Sequence, residues 1–282
     1  MRNFEIHLKD YFEFLGENNT DPVLTAYLPQ NLAEMNWQDK RRPTILVCPG
    51  GGYSNVSQRE AEPIALKLLP EGYNVFILTY SVPGHRFPTQ LREVAAAMEL
   101  IHGNAKEWSC DTERIAIMGF SAGGHLAAHY TNAYDCPEIR AVFPESKGVK
   151  ASILCYPVIN ADPKFAHKGS FKHLIGHGYP LSEEELDKFS CDRLVSEKTP
   201  PSFLWHTAAD KTVPVCNSLL YARALAKYQI PFALHIYPQG KHGLSTADDQ
   251  TYNTPMTPDM EKACRTVKEW LPTLLQWLKD TL

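Results

Sequence analysis

A chain of 282 residues, 44% hydrophobic and 21% charged, can bury one large core and lies outside the disordered and fibrous ranges. A formal charge of −4 with no dense basic stripe argues against a nucleic-acid partner, and no apolar run is long enough to span a bilayer. Seven cysteines, odd in number and widely spaced, point to free buried thiols and a cytoplasmic setting rather than to a disulfide framework.

In chain order, the first ten residues alternate polar and apolar side chains and carry early acids. They read as a strand over 4–8, not as a signal peptide. Turn formers from Asn18 to Pro22 separate it from a second strand, 23–28, and the two are expected to pair antiparallel. Six short apolar runs follow, at 44–48, 74–79, 114–118, 150–156, 202–207 and 232–237. Helical patterns lie between most of them, at 60–69, 91–104, 122–131 and 215–228. A last helix is expected from about 258 to the end, with Trp270, Leu274 and Trp277 as its core-facing stripe. Near-continuous apolar strands alternating with helices predict an α/β fold, a mostly parallel sheet covered on both faces, in one domain over 1–282. The interval from 160 to about 201 has no clean strand–helix unit. An insertion of that length inside a compact domain predicts a small cap over the strand ends, around 160–200.

The chemistry concentrates at Gly119-Phe120-Ser121-Ala122-Gly123, a G-x-S-x-G pattern between a predicted strand and a predicted helix. That context suits a nucleophile elbow, a sharp turn that exposes the serine hydroxyl. A serine hydroxyl is a weak nucleophile and needs a positioned histidine, which in turn needs a carboxylate to fix its tautomer. Asp210, just after the run 202–207, and His242, in the glycine-flanked loop after 232–237, follow in the required order. Asp162 is the alternative acid, whereas Asp248 and Asp249 come after the histidine, in the wrong order. Pro49-Gly50-Gly51-Gly52-Tyr53 follows another strand, and its amides would serve an oxyanion hole: Gly51 and Gly52, together with the amide of Ala122. No Lys-Ser/Thr pair stands beside it to make it a phosphate loop. Tyr53, Ser54 and Asn55 are candidate substrate contacts. His125 and His129 lie four apart on a helix but lack the glutamate of a zinc motif, and no metal or cofactor is expected. His206 and His235 fall inside strands and read as packing or capping residues. His167, His173 and His177 read either as pocket lining or as a solvated loop.

As a set, these motifs resemble the α/β-hydrolase superfamily and, within it, the hormone-sensitive-lipase-like esterases. The shared parts are Pro49–Gly52, the segment Tyr80-Ser81-Val82-Pro83-Gly84-His85-Arg86-Phe87-Pro88, the elbow, Asp210 and His242. Proline stands where that group has histidine before the glycines, and the N-terminal cap helices of the group have no counterpart. The short N-terminus, the Pro-Gly-Gly-Gly-Tyr variant and the mid-chain insertion are more similar to the bacterial acetyl-xylan-esterase and xylanase B-like sugar-hydrolase branch. That resemblance implies a serine esterase removing acetyl groups from xylo-oligosaccharides or related sugars, with a small-molecule ester as partner and homo-oligomerisation left open. The rival readings are a general short-chain carboxylesterase, a peptidase or formamidase-like amidase of the same fold, and a non-catalytic binding module.

Overall fold

The computed structural model describes residues 1–251 and 255–282. Eight strands form one sheet: β1 (Arg2–His7), β2 (Val23–Leu28), β3 (Arg42–Cys48), β4 (Asn74–Thr79), β5 (Cys110–Phe120), β6 (Ala151–Cys155), β7 (Ser202–Thr207) and β8 (Phe232–Tyr237). Their spatial order is β1-β2-β4-β3-β5-β6-β7-β8. β1 and β2 run antiparallel to each other, and β2 antiparallel to β4. Every pairing from β4 to β8 is parallel.

The central strands are largely apolar where they are buried on both faces. In β5, Ile115 and Ile117 enter one core while Ala116, Met118 and Phe120 enter the other, the period of two that a pleated strand imposes. Helices Thr89–Gly103, Ser121–Ala133 and Cys216–Lys227 contribute to the first core, and Glu62–Leu68, Pro258–Val267 and Trp270–Thr281 to the second. Trp205 of β7 stacks on Trp270 at 5.1 Å, both fully buried. Full burial of one such large apolar side chain contributes roughly 1.5–3 kcal/mol.

Two expected elements differ. The C-terminal helix is two helices, with the break at Lys268 and Glu269. Pro272 lacks the N–H of a helix interior and its ring clashes with the carbonyl four residues back, but it is tolerated in the first turn of a new helix. Trp270 and Leu274 are buried as expected, and Trp277 packs at the margin against Phe203. The interval after β6 is not irregular. It holds short helices Lys168–Ile175, Glu183–Phe189 and Cys191–Leu194, and Phe171, Leu174, Leu186 and Phe189 are packed into the first core. Ser182 and Glu185 close a capping box at the second of these helices.

No helix among the described residues is long and apolar enough to cross a membrane. Because β3 to β8 are parallel, their C-terminal ends share one edge of the sheet, where ligands of open α/β sheets bind. The glycine loop, Ser121, Asp210 and His242 all follow the ends of these strands.

Candidate active site

β5 passes into the helix Ser121–Ala133 with no residue between, so Ser121 must turn the chain by itself. It does so at φ +54°, a conformation that costs a non-glycine residue on the order of 1–3 kcal/mol and persists only where surroundings enforce it. The enforcement is visible. A Cβ at Gly123 would collide with the carbonyls of Cys48 and Pro49, so glycine there lets the helix start lie directly against the end of β3. The Ser121 carbonyl is also held, by the Val158 amide at 2.9 Å.

Ser121 Oγ lies 2.8 Å from His242 Nε2, and His242 Nδ1 lies 2.6 Å from Asp210 Oδ2. A carboxylate that only accepts requires Nδ1 to carry the proton, which leaves Nε2 to accept from the serine hydroxyl. Asp210 is itself locked: its Oδ1 accepts the Thr212 and Val213 amides at 2.8 and 2.9 Å. Burial acts to raise the Asp210 pKa. Hydrogen bonds from His206 and His242, the nearby charge of His242 and the Val213 amide outweigh it and hold the carboxyl well below the usual carboxylate range.

The glycine loop flanks the serine. The Gly50 amide is taken by Glu60 Oε2 at 2.9 Å. The Gly51 carbonyl accepts from Ser54 and Asn55, and the Gly52 carbonyl accepts from His173 Nδ1 at 2.9 Å. The Gly51 and Gly52 amides donate to no acceptor among the described residues. Ala122 lies in the first turn of its helix, where amides lack an intrahelical partner. Gly51 and Gly52 line the same cleft as Ser121, and Ala122 is its neighbour in the chain, so three unspent donors belong to this part of the structure. The cleft they open into measures about 780 Å³ and is walled by Gly51, Gly52, Ser54–Arg59, His167, His173, Thr212, Gln250 and Thr251. Among the described residues, Val56 is the one larger apolar side chain in that wall.

The expectation that Tyr53 meets substrate is corrected. Its side chain is 1% exposed and points away from the cleft, its hydroxyl bonded to His125 Nδ1 at 2.8 Å. A bulky aromatic ring gains more from the core beside Tyr80 than from an open polar cleft. Ser54 and Asn55 do line the cleft. His125 spends its other nitrogen on the Phe189 carbonyl, and His129 stacks on Phe87. Burial holds both rings neutral, lowering them to about 4 and about 3. The alternative acid Asp162 accepts the Lys164 amide instead.

Several contributors to the site carry no local sequence signature. His206 stands behind the acid, 3.4 Å from Asp210 Oδ2, and its Nε2–H also donates to the Val213 carbonyl. Tyr156 packs edge-on to the His242 ring at 5.1 Å. Of the three histidines in the insertion, His167 and His173 line the cleft, whereas His177 is exposed and paired with Glu185. Burial, then the proximity of His242, lowers the His167 pKa, against a smaller opposing pull from Asp210.

Comparison with known proteins follows the same lines. A model of the BD-FAE family matches residues 26–225, which include the glycine loop, Ser121 and Asp210. The chain is 37% identical over 239 residues to endo-1,4-beta-xylanase B of Butyrivibrio fibrisolvens, covering 81% of this chain and 36% of that protein. It is 29% identical over 240 residues to an acetylxylan esterase of Xylanibacter ruminicola, covering 84% of this chain and 46% of that one. The chain thus spans between a third and a half of the length of these curated relatives. Among solved structures it is similar to an acetyl ester-xyloside bifunctional hydrolase from Caldicellulosiruptor lactoaceticus, at TM-score 0.81 and 36% identity, over 99% of this chain and 96% of the other. It is also similar to the carboxylesterase Cest-2923 of Lactobacillus plantarum, at TM-score 0.82 and 28% identity, over 99% and 98%. The family match and these full-length structural likenesses agree: the chain belongs to the BD-FAE family of α/β-hydrolase esterases.

Proposed function

We propose that the chain removes short acyl groups, acetyl above all, from carbohydrate alcohols such as xylo-oligosaccharides. Ser121 attacks the ester carbonyl while His242 Nε2 takes its proton, and Asp210 fixes the imidazole and stabilises its cation. The amides of Gly51, Gly52 and Ala122 receive the negative charge that develops on the carbonyl oxygen, each worth roughly 3–4 kcal/mol of barrier. His242 then protonates the leaving sugar alkoxide, and water attacks the acyl-serine by the same route in reverse.

The observation that carries this reading is one continuous hydrogen-bonded line, Asp210–His242–Ser121, opening into a wide cleft whose wall carries hydroxyls, amides and imidazoles. Long acyl chains need an extended apolar wall, and among the described residues the cleft offers only Val56 as a larger apolar side chain, whereas sugar hydroxyls match its amides, hydroxyls and imidazoles. The names of the xylan-directed relatives support the same substrate class.

Acetate release from acetylated xylo-oligosaccharides tests it, with Ser121→Ala run beside the wild type. Release by the wild type, reduced at least a thousandfold in the variant, is the expected outcome, on the scale of removing a triad member. If the wild type cleaves 4-nitrophenyl acetate yet leaves the oligosaccharides acetylated, the sugar assignment falls and a general short-chain carboxylesterase takes its place.

A further inference from the structure

Besides Asp210, a second carboxylate is buried at this cleft. Glu60 is 2% exposed and sits just before the helix Glu62–Leu68. Its two oxygens serve two different loops. Oε2 accepts the Gly50 amide at 2.9 Å, at the root of the donor loop. Oε1 accepts the Tyr156 hydroxyl at 2.7 Å. The same phenol oxygen accepts the Ser245 amide at 3.0 Å, three residues beyond His242, and the Tyr156 ring packs against the imidazole. The Ser245 hydroxyl returns to the Arg59 carbonyl at 2.6 Å, closing the circuit beside Glu60. Ser121 belongs to the same cluster: a Cβ built on Gly50 would lie 2.7 Å from Glu60 Oε2 and 2.9 Å from Ser121 Cβ.

We propose that Glu60 is a positioning residue that couples the oxyanion loop to the loop carrying His242, so that donors and base keep one fixed spacing across Ser121. The inference rests on the esterase reading of the site. A carboxylate suits the task because it accepts from two donors on opposite sides with charge-assisted bonds, whereas a neutral amide offers one acceptor and one donor. Occupying the Gly50 amide orients the loop so that the next two amides remain for substrate. Its negative charge also favours the imidazolium that forms on His242. Among the described residues, His242 meets Asp210 at Nδ1, Ser121 at Nε2 and the Tyr156 ring, with the charge of His167 nearby and the Arg59 guanidinium beside the neighbouring Gly243.

The test measures kcat, KM and the pH profile of kcat/KM on 4-nitrophenyl acetate for Glu60→Gln, Tyr156→Phe and the double variant. Each is normalised to folded sites by titration with a fluorophosphonate. Glu60→Gln should lower kcat roughly ten- to a hundredfold with KM within about twofold, less than the loss of a whole oxyanion donor. The acidic limb of its profile should move to lower pH, because removing an anion disfavours the protonated imidazole. Tyr156→Phe, which keeps the Gly50 bond, should show a smaller loss of the same kind, and the two losses should combine to less than their product. The proposal is overturned if normalised Glu60→Gln keeps kcat within twofold, or if its acidic limb stays put and the two losses multiply. Should Glu60→Gln fail to fold, Tyr156→Phe decides alone: kcat and acidic limb both unchanged overturn the coupling. Inactivity of the wild type toward the ester would instead remove the esterase reading on which the proposal stands.

Discussion

Asp210 shows how much a single carboxyl can be asked to do. It accepts two amides on one oxygen and the His242 imidazole on the other, with His206 as a further donor behind it. Held ionised by that shell, it keeps His242 in the tautomer that can accept from serine. In Asp210→Asn the amides of Thr212 and Val213 would claim the carboxamide oxygen, leaving its NH₂ against Nδ1. The ring would then have to present its lone pair there and its proton to Ser121, the wrong way round for a base. We expect kcat to fall about 10³–10⁴-fold with little change in KM, as for the same replacement in other triads. A loss of less than tenfold would show that another acid orients His242. That Ser121, Asp210 and His242 would come together was legible in the sequence because their order and their places after apolar runs are constrained. Glu60, Tyr156 and His206 were not, since a glutamate before a helix or a histidine in a strand acquires its role only when distant strands come side by side.

At the scale of elements, the donor loop is clamped from several sides. Tyr80 donates to the Pro49 carbonyl, Glu60 takes the Gly50 amide, His173 reaches the Gly52 carbonyl, and Tyr53 reaches down to His125 on the nucleophile helix. Tyr53→Phe isolates the last clamp. It deletes one hydroxyl and leaves the buried His125 Nδ1 without its donor, a loss of about 1–3 kcal/mol. A lowered Tm with KM for the ester unchanged is expected. A raised KM with unchanged Tm would return Tyr53 to the substrate wall. The sequence disclosed the strands well, because each central strand contains a short apolar run. It disclosed the insertion poorly. The helices there are short and bury one to three side chains each, too few to print a helical period. Their lodging in the core depends on partners such as Phe87, which meets Phe189 from a distant stretch of chain.

For the molecule as a whole, one buried acid outside the cleft sets a pH slope. Glu93 is fully buried on the helix Thr89–Gly103. Burial raises it to about 7, against a smaller lowering by the Ser81 amide that one of its oxygens accepts. In the unfolded chain it would lose its proton near 4.5, so between about 4.5 and 7 the folded state holds a proton that the unfolded state has released. The sign follows: this contribution is full below 4.5 and is lost as pH rises through 7, up to about 3 kcal/mol across the window. Glu93→Gln removes the ionisation. Its stability, followed by urea unfolding from pH 4.5 to 8, should lack the downward slope that the wild type shows. Parallel slopes in the two proteins would assign the pH dependence to other groups.

The wall of the cleft and its chemistry come from different parts of the chain. Ser121, Asp210 and His242 follow the ends of β5, β7 and β8, strands anchored in the double core. Much of what a substrate would touch lies in two short stretches, Ser54–Arg59 and His167–His173. Neither stretch contains Ser121, Asp210, His242 or the three unspent amides. On the proposed reading, drift or selection confined to about a dozen positions there, with the His173 clamp on the Gly52 carbonyl kept, would exchange one alcohol for another while the reaction is inherited intact. Glu60, next in line to the first stretch, marks where that freedom stops.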